Sequence, residues 1–272
     1  MTKRIAMWSG PRNLSTAMMY AFAARGDCAV WDEPFYAAYL AATGMAHPMA
    51  AEVIRAGEPD PARVAAACLG PVPHGQKLWY QKHMTLHMIP AFDRGFLTGL
   101  TNAFLIRHPA RVIMSYAQKR EAPTLADIGF VQQAELFDQV AQVTGTAPPV
   151  IAAEAIRANP ERALSALCAA LGIPFTARML SWPKGPKPYD GAWAPHWYNA
   201  VHASTGFGEP EAPLPDLPDA YRRLADQALP FLEMAAGHDP MARYNLGMAY
   251  HAVGRLEDAV GCFKAALQAK PD

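Results

Sequence analysis

The stretch Lys3–Arg25, KRIAMWSGPRNLSTAMMYAFAAR, constrains the fold more than any other, because an apolar run passes through Trp8-Ser9-Gly10-Pro11-Arg12 directly into a helical sequence. Ile5–Trp8 predicts a buried first strand, Gly10 permits a tight turn and Pro11 sets φ. The amides around Arg12–Ser15 then converge as the helix begins, where the helix dipole adds its positive end. Arg12 offers a planar donor fork, and Ser15 and Thr16 offer hydroxyls. The expected ligand of Ser9, Gly10, Pro11, Arg12, Asn13, Leu14, Ser15 and Thr16 is an oxyanion. This is not a Walker A loop, which needs a Gly-Lys-Ser/Thr ending absent here, so a magnesium-dependent NTPase is the weaker expectation. The plain alternative is a capped helix carrying a surface arginine.

A second segment, Thr101–Arg120, reads TNAFLIRHPARVIMSYAQKR. Its strand Ala103–Ile106 ends at Arg107, and Pro109 opens a helix in its favoured first-turn place. Arg107 at the strand end and Ser115 on the helix, eight residues apart, can both reach a second phosphate over the carboxyl edge of a parallel sheet.

Together the two segments resemble the sulfotransferase family, which takes its sulfuryl group from 3′-phosphoadenosine 5′-phosphosulfate (PAPS). Pro11-Arg12-Asn13-Leu14-Ser15-Thr16 is similar to that family's 5′-phosphosulfate loop, with Leu14 in place of the usual glycine. Arg107-His108-Pro109 with Ser115 is similar to its 3′-phosphate motif, with His108 in place of the usual acidic residue. The resemblance covers about residues 3–236 and includes the helix and Leu171-Gly172-Ile173-Pro174 turn late in the chain. It implies PAPS as co-substrate, with Arg12, Arg107 and Ser115 on the donor.

In sulfuryl transfer, negative charge develops on the oxygen leaving sulfur, as it does in phosphoryl transfer. Arg12 and Lys82, the latter near the end of the strand-like KLWYQKHM, are the cations expected there, and removing either should lower turnover more than affinity. No bridging metal is expected. Two residues compete as general base. Glu33 stands in Trp31-Asp32-Glu33-Pro34 after a likely second strand at Ala29–Trp31, and some sulfotransferases place a glutamate in a similar segment; its plain alternative is a helix cap before Pro34. Lys82-His83 is similar to the Lys-x-His pattern of cytosolic members, with the spacer missing. His83 and His87, four apart, would share a helix face, but without the Glu of His-Glu-x-x-His a substrate pocket or a solvent-facing pair is expected rather than a metal site.

Trp182–Gly208 is rich in aromatic, Gly, Pro and Lys residues and too irregular for a helix. Sulfotransferases close a basic loop over the 3′-phosphate late in the chain, which makes Lys184 the candidate here, with Lys187 beside it. Trp182, Trp193 and Trp197 either stack on adenine, shape an acceptor pocket or anchor the loop, and His196 is open between pocket and packing.

Elsewhere, helices are expected at Pro61–Leu69, Leu125–Thr144, Pro160–Leu171 and within Pro218–Ala236, with a short strand at Val150–Ala152. Alternating elements predict an α/β, P-loop-like three-layer fold, a parallel sheet with helices on both faces, over residues 1–236. Residues 239–272 resemble one tetratricopeptide repeat at Leu246, Gly247, Tyr250, Ala259, Phe263, Ala266 and Pro271. One helix-turn-helix repeat cannot bury its own faces, which implies docking on the main domain, self-association or a protein partner.

The 272 residues are 51% hydrophobic and carry 24 basic against 24 acidic side chains, which argues against broad nucleic-acid binding. Cys28, Cys68, Cys168 and Cys262 form no CxxC pair and suit a reducing compartment. No signal peptide or run of about 18 apolar residues is visible, so a soluble cytoplasmic protein without membrane partners is expected. Two functions remain: a sulfotransferase for a small-molecule hydroxyl or amine, and a nucleotide-binding adaptor with weak transfer. A kinase-like phosphotransferase is third, weakened by the missing Walker A loop.

Overall fold

The computed structural model describes residues 2–118, 122–236, 260–262 and 264. Its frame is five strands, β1 (Lys3–Ser9), β2 (Cys28–Asp32), β3 (Leu78–Met84), β4 (Thr101–Ile106) and β5 (Val150–Ala152), in the order β2-β3-β1-β4-β5. Every pairing is parallel, with Met7 opposite both Lys82 and Ala103, and Asp32 opposite Lys82. Parallel strands need crossovers, and the helices supply them. They are α1 (Ser15–Ala24), α2 (Tyr36–Thr43), α3 (Ala50–Ala56), α4 (Pro61–Cys68), α5 (Pro109–Ala117), α6 (Leu125–Ile128), α7 (Phe130–Thr144), α8 (Ala153–Ala158), α9 (Pro160–Ala170), α10 (Ala194–Trp197), α11 (Asn199–His202) and α12 (Asp219–Ala236).

Side-chain alternation along β1 explains the layers. Ile5 and Met7 pack with Met18 and Phe22 of α1 and Leu164 and Leu167 of α9. Ala6 and Trp8 face the opposite cluster, with Val112 and Ile113 of α5, Phe137 of α7 and Leu229 of α12. All four β1 residues are fully buried, as expected of a central strand covered on both sides. Each large apolar side chain so buried contributes roughly 1.5–3 kcal/mol. The three-layer α/β arrangement expected from the sequence is present.

Local departures have physical causes. The single helix expected over Leu125–Thr144 is divided at Gly129, whose φ of 71° is left-handed. A Cβ on Gly129 would lie 2.9 Å from Thr85 Oγ1, and one on Gly10 would lie 2.7 Å from the Ile128 carbonyl. The two glycines thus let the α6–α7 junction press against the turn after β1. The irregular Trp182–Gly208 segment contains two one-turn helices, α10 and α11. Of the repeat expected at 239–272, only 260–262 and 264 are among the described residues, and the rest of that expectation lies outside them. No helix among the described residues is long and apolar enough to cross a membrane.

Candidate active site

Four strand ends deliver the site. β1 runs into the turn at residues 10–14, β2 into Glu33, β3 carries Lys82 near its end, and β4 stops before Arg107. Carboxyl ends beside a reversal of strand order are where open parallel sheets form crevices. A cavity of about 380 Å³ lies here, lined by the Pro11–Ala17 turn together with Glu33, Lys82, Arg107 and Ser115.

The turn takes its shape from unexpected residues. The left-handed positions are Arg12 and Leu14, each at φ 63°, rather than Gly10, which is required for the close approach of Ile128. Leu14 therefore keeps the backbone shape that the family's glycine would favour, at a cost on the order of 1–3 kcal/mol per strained residue. It is also the N-cap of α1 and gives no side-chain cap, so the first amides of α1 are left for another acceptor. Asn13 donates to the Leu105 carbonyl at 3.3 Å and Ser9 contacts Met84 Sδ at 3.9 Å. Ser9 and Gly10 do not line the cavity, whereas Pro11, Arg12, Asn13, Leu14, Ser15 and Thr16 do. Arg12 Nε donates to Ser115 Oγ at 2.8 Å, and Arg107 Nη1 donates to the Arg12 carbonyl at 2.8 Å. Burial, then the neighbouring Arg107, lower the Arg12 pKa. His108 takes the place of an acidic residue as cap of α5: its Nδ1 accepts from Ala110 N at 3.2 Å, and burial followed by Arg111 brings its pKa down to about 4, keeping the ring neutral.

Lys82 is the electrostatic centre. Its Nζ donates to Asp32 Oδ1 at 2.9 Å, to Tyr198 Oη at 2.8 Å and to Glu33 Oε1. Asp32 is fixed in turn: its Oδ2 accepts from Tyr198 Oη at 2.7 Å and from Gly191 N at 3.1 Å. Trp193 Nε1 completes the set by donating to Tyr198 Oη at 3.0 Å. Burial disfavours the Lys82 ammonium, but Asp32 and Glu33 outweigh it and the net direction is up. Burial pushes the Glu33 carboxyl up to about 6, with Lys82 pulling down and Asp32 adding to the rise. Glu33 sits at φ 42°, so three of the six non-glycine left-handed residues noted among the described residues, Arg12, Leu14 and Glu33, line this cavity.

The structure corrects the expectation for His83. Adjacent residues of a strand face opposite sides, and His83 lies on the Trp8 side, its ring stacked on Trp8 at 4.3 Å between centroids and bonded to Gln81 Oε1 at 3.2 Å. It does not line the cavity, and burial lowers its pKa to about 3. His83 and His87 are not on one helix face, since one belongs to β3 and the other to the short turn Thr85–His87. His87, expected either in a substrate pocket or facing solvent, belongs to the cavity. It lines the cavity between the rings of Tyr36 and Tyr39, 4.6 and 5.0 Å away, with Nε2 3.9 Å from Glu33 Oε2.

Lys184 is also displaced from its expected role. It is exposed and does not line the cavity, while Lys187 donates to the Pro183 and Gly185 carbonyls at 2.7 and 2.5 Å. Positive charge next to Arg107 comes instead from Arg111 and Arg157. Trp182 anchors its segment against Tyr20 and Phe207, whereas Trp193 and Trp197 join Tyr36, His47 and Leu86 in an apolar and aromatic wall. His196 does not line the cavity.

A sulfotransferase domain family matches residues 3–238 of the chain. Two curated plant proteins from Arabidopsis thaliana are similar to it: branched-chain-amino-acid aminotransferase-like protein 1, 36% identical over 86% of this chain and 42% of its own, and the corresponding protein 2, 35% identical over 86% and 41%. The chain thus spans about two fifths of the length of those relatives. Among solved structures, a sulfotransferase from Alicyclobacillus acidocaldarius superposes with a TM-score of 0.50 over 87% of this chain and 95% of that one, at 12% identity, a likeness of fold.

Proposed function

The chain belongs to the sulfotransferase-domain family, and from that premise we propose that it is a PAPS-dependent sulfotransferase acting on a hydroxyl or amine of a small molecule. The observation that carries the reading is the meeting of Lys82 and Glu33 with the Pro11–Thr16 turn around one cavity. The residues fit a doubly anionic nucleotide. No side chain caps α1, and Arg107 Nε is buried without an acceptor. Pro11–Thr16 and Arg12 would hold the 5′ end and Arg107 with Ser115 the 3′-phosphate. Bound PAPS would supply the sulfuryl group, the acceptor atom bonding to sulfur as the bond from sulfur to the 5′-phosphate oxygen breaks and its electron pair departs on that phosphate.

The chain's own residues divide the remaining work. Glu33 Oε1 is held by Lys82, while Oε2 is left to take the proton of the acceptor. Lys82, almost fully buried, and Arg12 would stand where negative charge develops. Asp32 and Tyr198 keep the ammonium in place, so Glu33 is not its sole counter-ion. The aromatic wall of Tyr36, Trp193 and Trp197 favours an acceptor with a flat or apolar body.

The test is turnover: release of adenosine 3′,5′-bisphosphate from PAPS with panels of small alcohols, phenols and amines. Acceptor-dependent release that disappears in Glu33→Gln is expected, and no release with any panel would sink the enzyme reading. A nucleotide-binding adaptor with weak transfer is the second reading. It draws on the relatives, in which the shared sequence is a minor part of a longer protein. Nucleotide binding without acceptor-dependent release would favour it.

A further inference from the structure

A buried carboxylate holds the arginines at the cavity edge. Glu211 belongs to the irregular segment 203–218 between α11 and α12, and its side chain is 5% exposed. It pairs with Arg107 Nη2 at 2.5 Å and Arg111 Nε at 2.7 Å, and Arg157 Nε lies 3.6 Å away. Three guanidiniums gathered around one carboxylate repel one another, and the carboxylate offsets that repulsion. Glu154, 3.7 Å from Arg111, is the other carboxylate beside the cluster, and it also accepts from His108 N at 2.9 Å. Two carboxylates thus face three cations, and the Nε–H groups of Arg107, Arg111 and Arg157 are buried without an aligned acceptor.

Arg107 and Arg157 line the cavity, whereas Glu211 does not. Arg111 Nη2 donates to the Ala212 carbonyl at 2.5 Å, so the segment is pinned at two consecutive residues. Glu211 is therefore fixed beside the cluster rather than positioned to leave it. We propose that Glu211 is a positioning residue for the donor: its carboxylate gathers Arg107, Arg111 and Arg157 so that Arg107 and Arg157 present their remaining donors to the nucleotide's 3′-phosphate. This inference rests on the PAPS reading. It adds Arg157 to the residues that read the 3′-phosphate and makes the segment carrying Ser204, Gly206 and Phe207 of the cavity wall part of the same device.

The experiment is calorimetric titration of wild type, Glu211→Gln and Glu211→Asp with adenosine 3′,5′-bisphosphate and with adenosine 5′-monophosphate, which lacks the 3′-phosphate. Glu209→Gln, a change at an exposed neighbouring carboxylate, serves as charge control, and thermal melts check folding. Glu211→Gln is expected to weaken the bisphosphate about tenfold and the monophosphate less than about twofold, with part of the loss restored in Glu211→Asp. Unchanged or tighter bisphosphate binding overturns the proposal, and so does equal weakening of both nucleotides or the same loss in Glu209→Gln. If wild type shows no preference for the bisphosphate, the PAPS reading itself fails, and this proposal fails with it.

Discussion

Arg12 Nε donates to Ser115 Oγ across 2.8 Å, so the turn after β1 and helix α5, 103 residues apart at these positions, are joined directly. The serine hydroxyl accepts this bond and would keep its own proton for a phosphate oxygen of the proposed nucleotide. Ser115→Ala removes both, leaving the half-buried Arg12 without its anchor. Affinity for adenosine 3′,5′-bisphosphate should fall roughly tenfold, the scale of one hydrogen bond to a charged group. Calorimetry checks this, and a change below about twofold would mean that the contact is incidental.

As the base of the proposed reaction, Glu33 would set the acid limb of the pH profile. A base must be deprotonated, and burial has pushed this carboxyl up to about 6. Turnover should therefore be low below that pH, rise through it and level off above. Glu33→Gln should lower turnover on the order of 10²–10⁴-fold and remove the limb. A limb that persists in the variant would assign the titration to another group.

Asp32 should matter for stability as well as chemistry. Replacing it with asparagine leaves the Lys82 ammonium with one carboxylate in a buried site. Breaking a buried pair costs roughly 3–5 kcal/mol. For a domain of this size, thermal unfolding should then come roughly 6–20 °C earlier. A melting shift under about 2 °C would show that Glu33 and Tyr198 suffice to hold the lysine.

His83→Phe separates packing from catalysis. The ring lies against Trp8 and near Phe35 and Phe96, and an aromatic replacement keeps those contacts. Turnover should stay within about threefold of wild type, whereas loss of a general base would lower it by about 10² or more. A loss of that size in a folded variant would restore His83 to the chemistry.

The turn after β1 and the Arg107–Ser115 spacing were legible because each is local, a strand running into a helix with its polar groups fixed by a few bonds. The parallel, two-faced sheet followed from alternating elements, whereas the order β2-β3-β1-β4-β5 did not. The choice between Glu33 and His83 was not legible. Strand neighbours must face opposite ways, but the side that becomes the site is decided by Asp32 and Glu33 arriving from β2 and by Tyr198 from α11's entry. For His87 the pocket was legible only as one of two alternatives, because the sharp turn after β3 aims it along a path no helical spacing describes. Arg157 and Glu211 carry no motif at all; they meet Arg107 only once α8 and the segment after α11 are folded against the sheet. Lys184 drew notice because the family uses a basic loop late in the chain, yet its segment packs through Trp182 and Tyr20 instead.

The bonds from Gly191 and Tyr198 to Asp32 have a bearing on how such a protein can change. They hang the aromatic wall from the same carboxylate that balances the lysine's charge. Residues along that wall, such as Trp197 and Leu86, can change and reshape the cavity while the attachment holds. Asp32 has no such freedom, since altering it would loosen the wall and unbalance the lysine in one step. Variation in the lining of the cavity and constancy at the lysine are, in this architecture, assigned to different atoms.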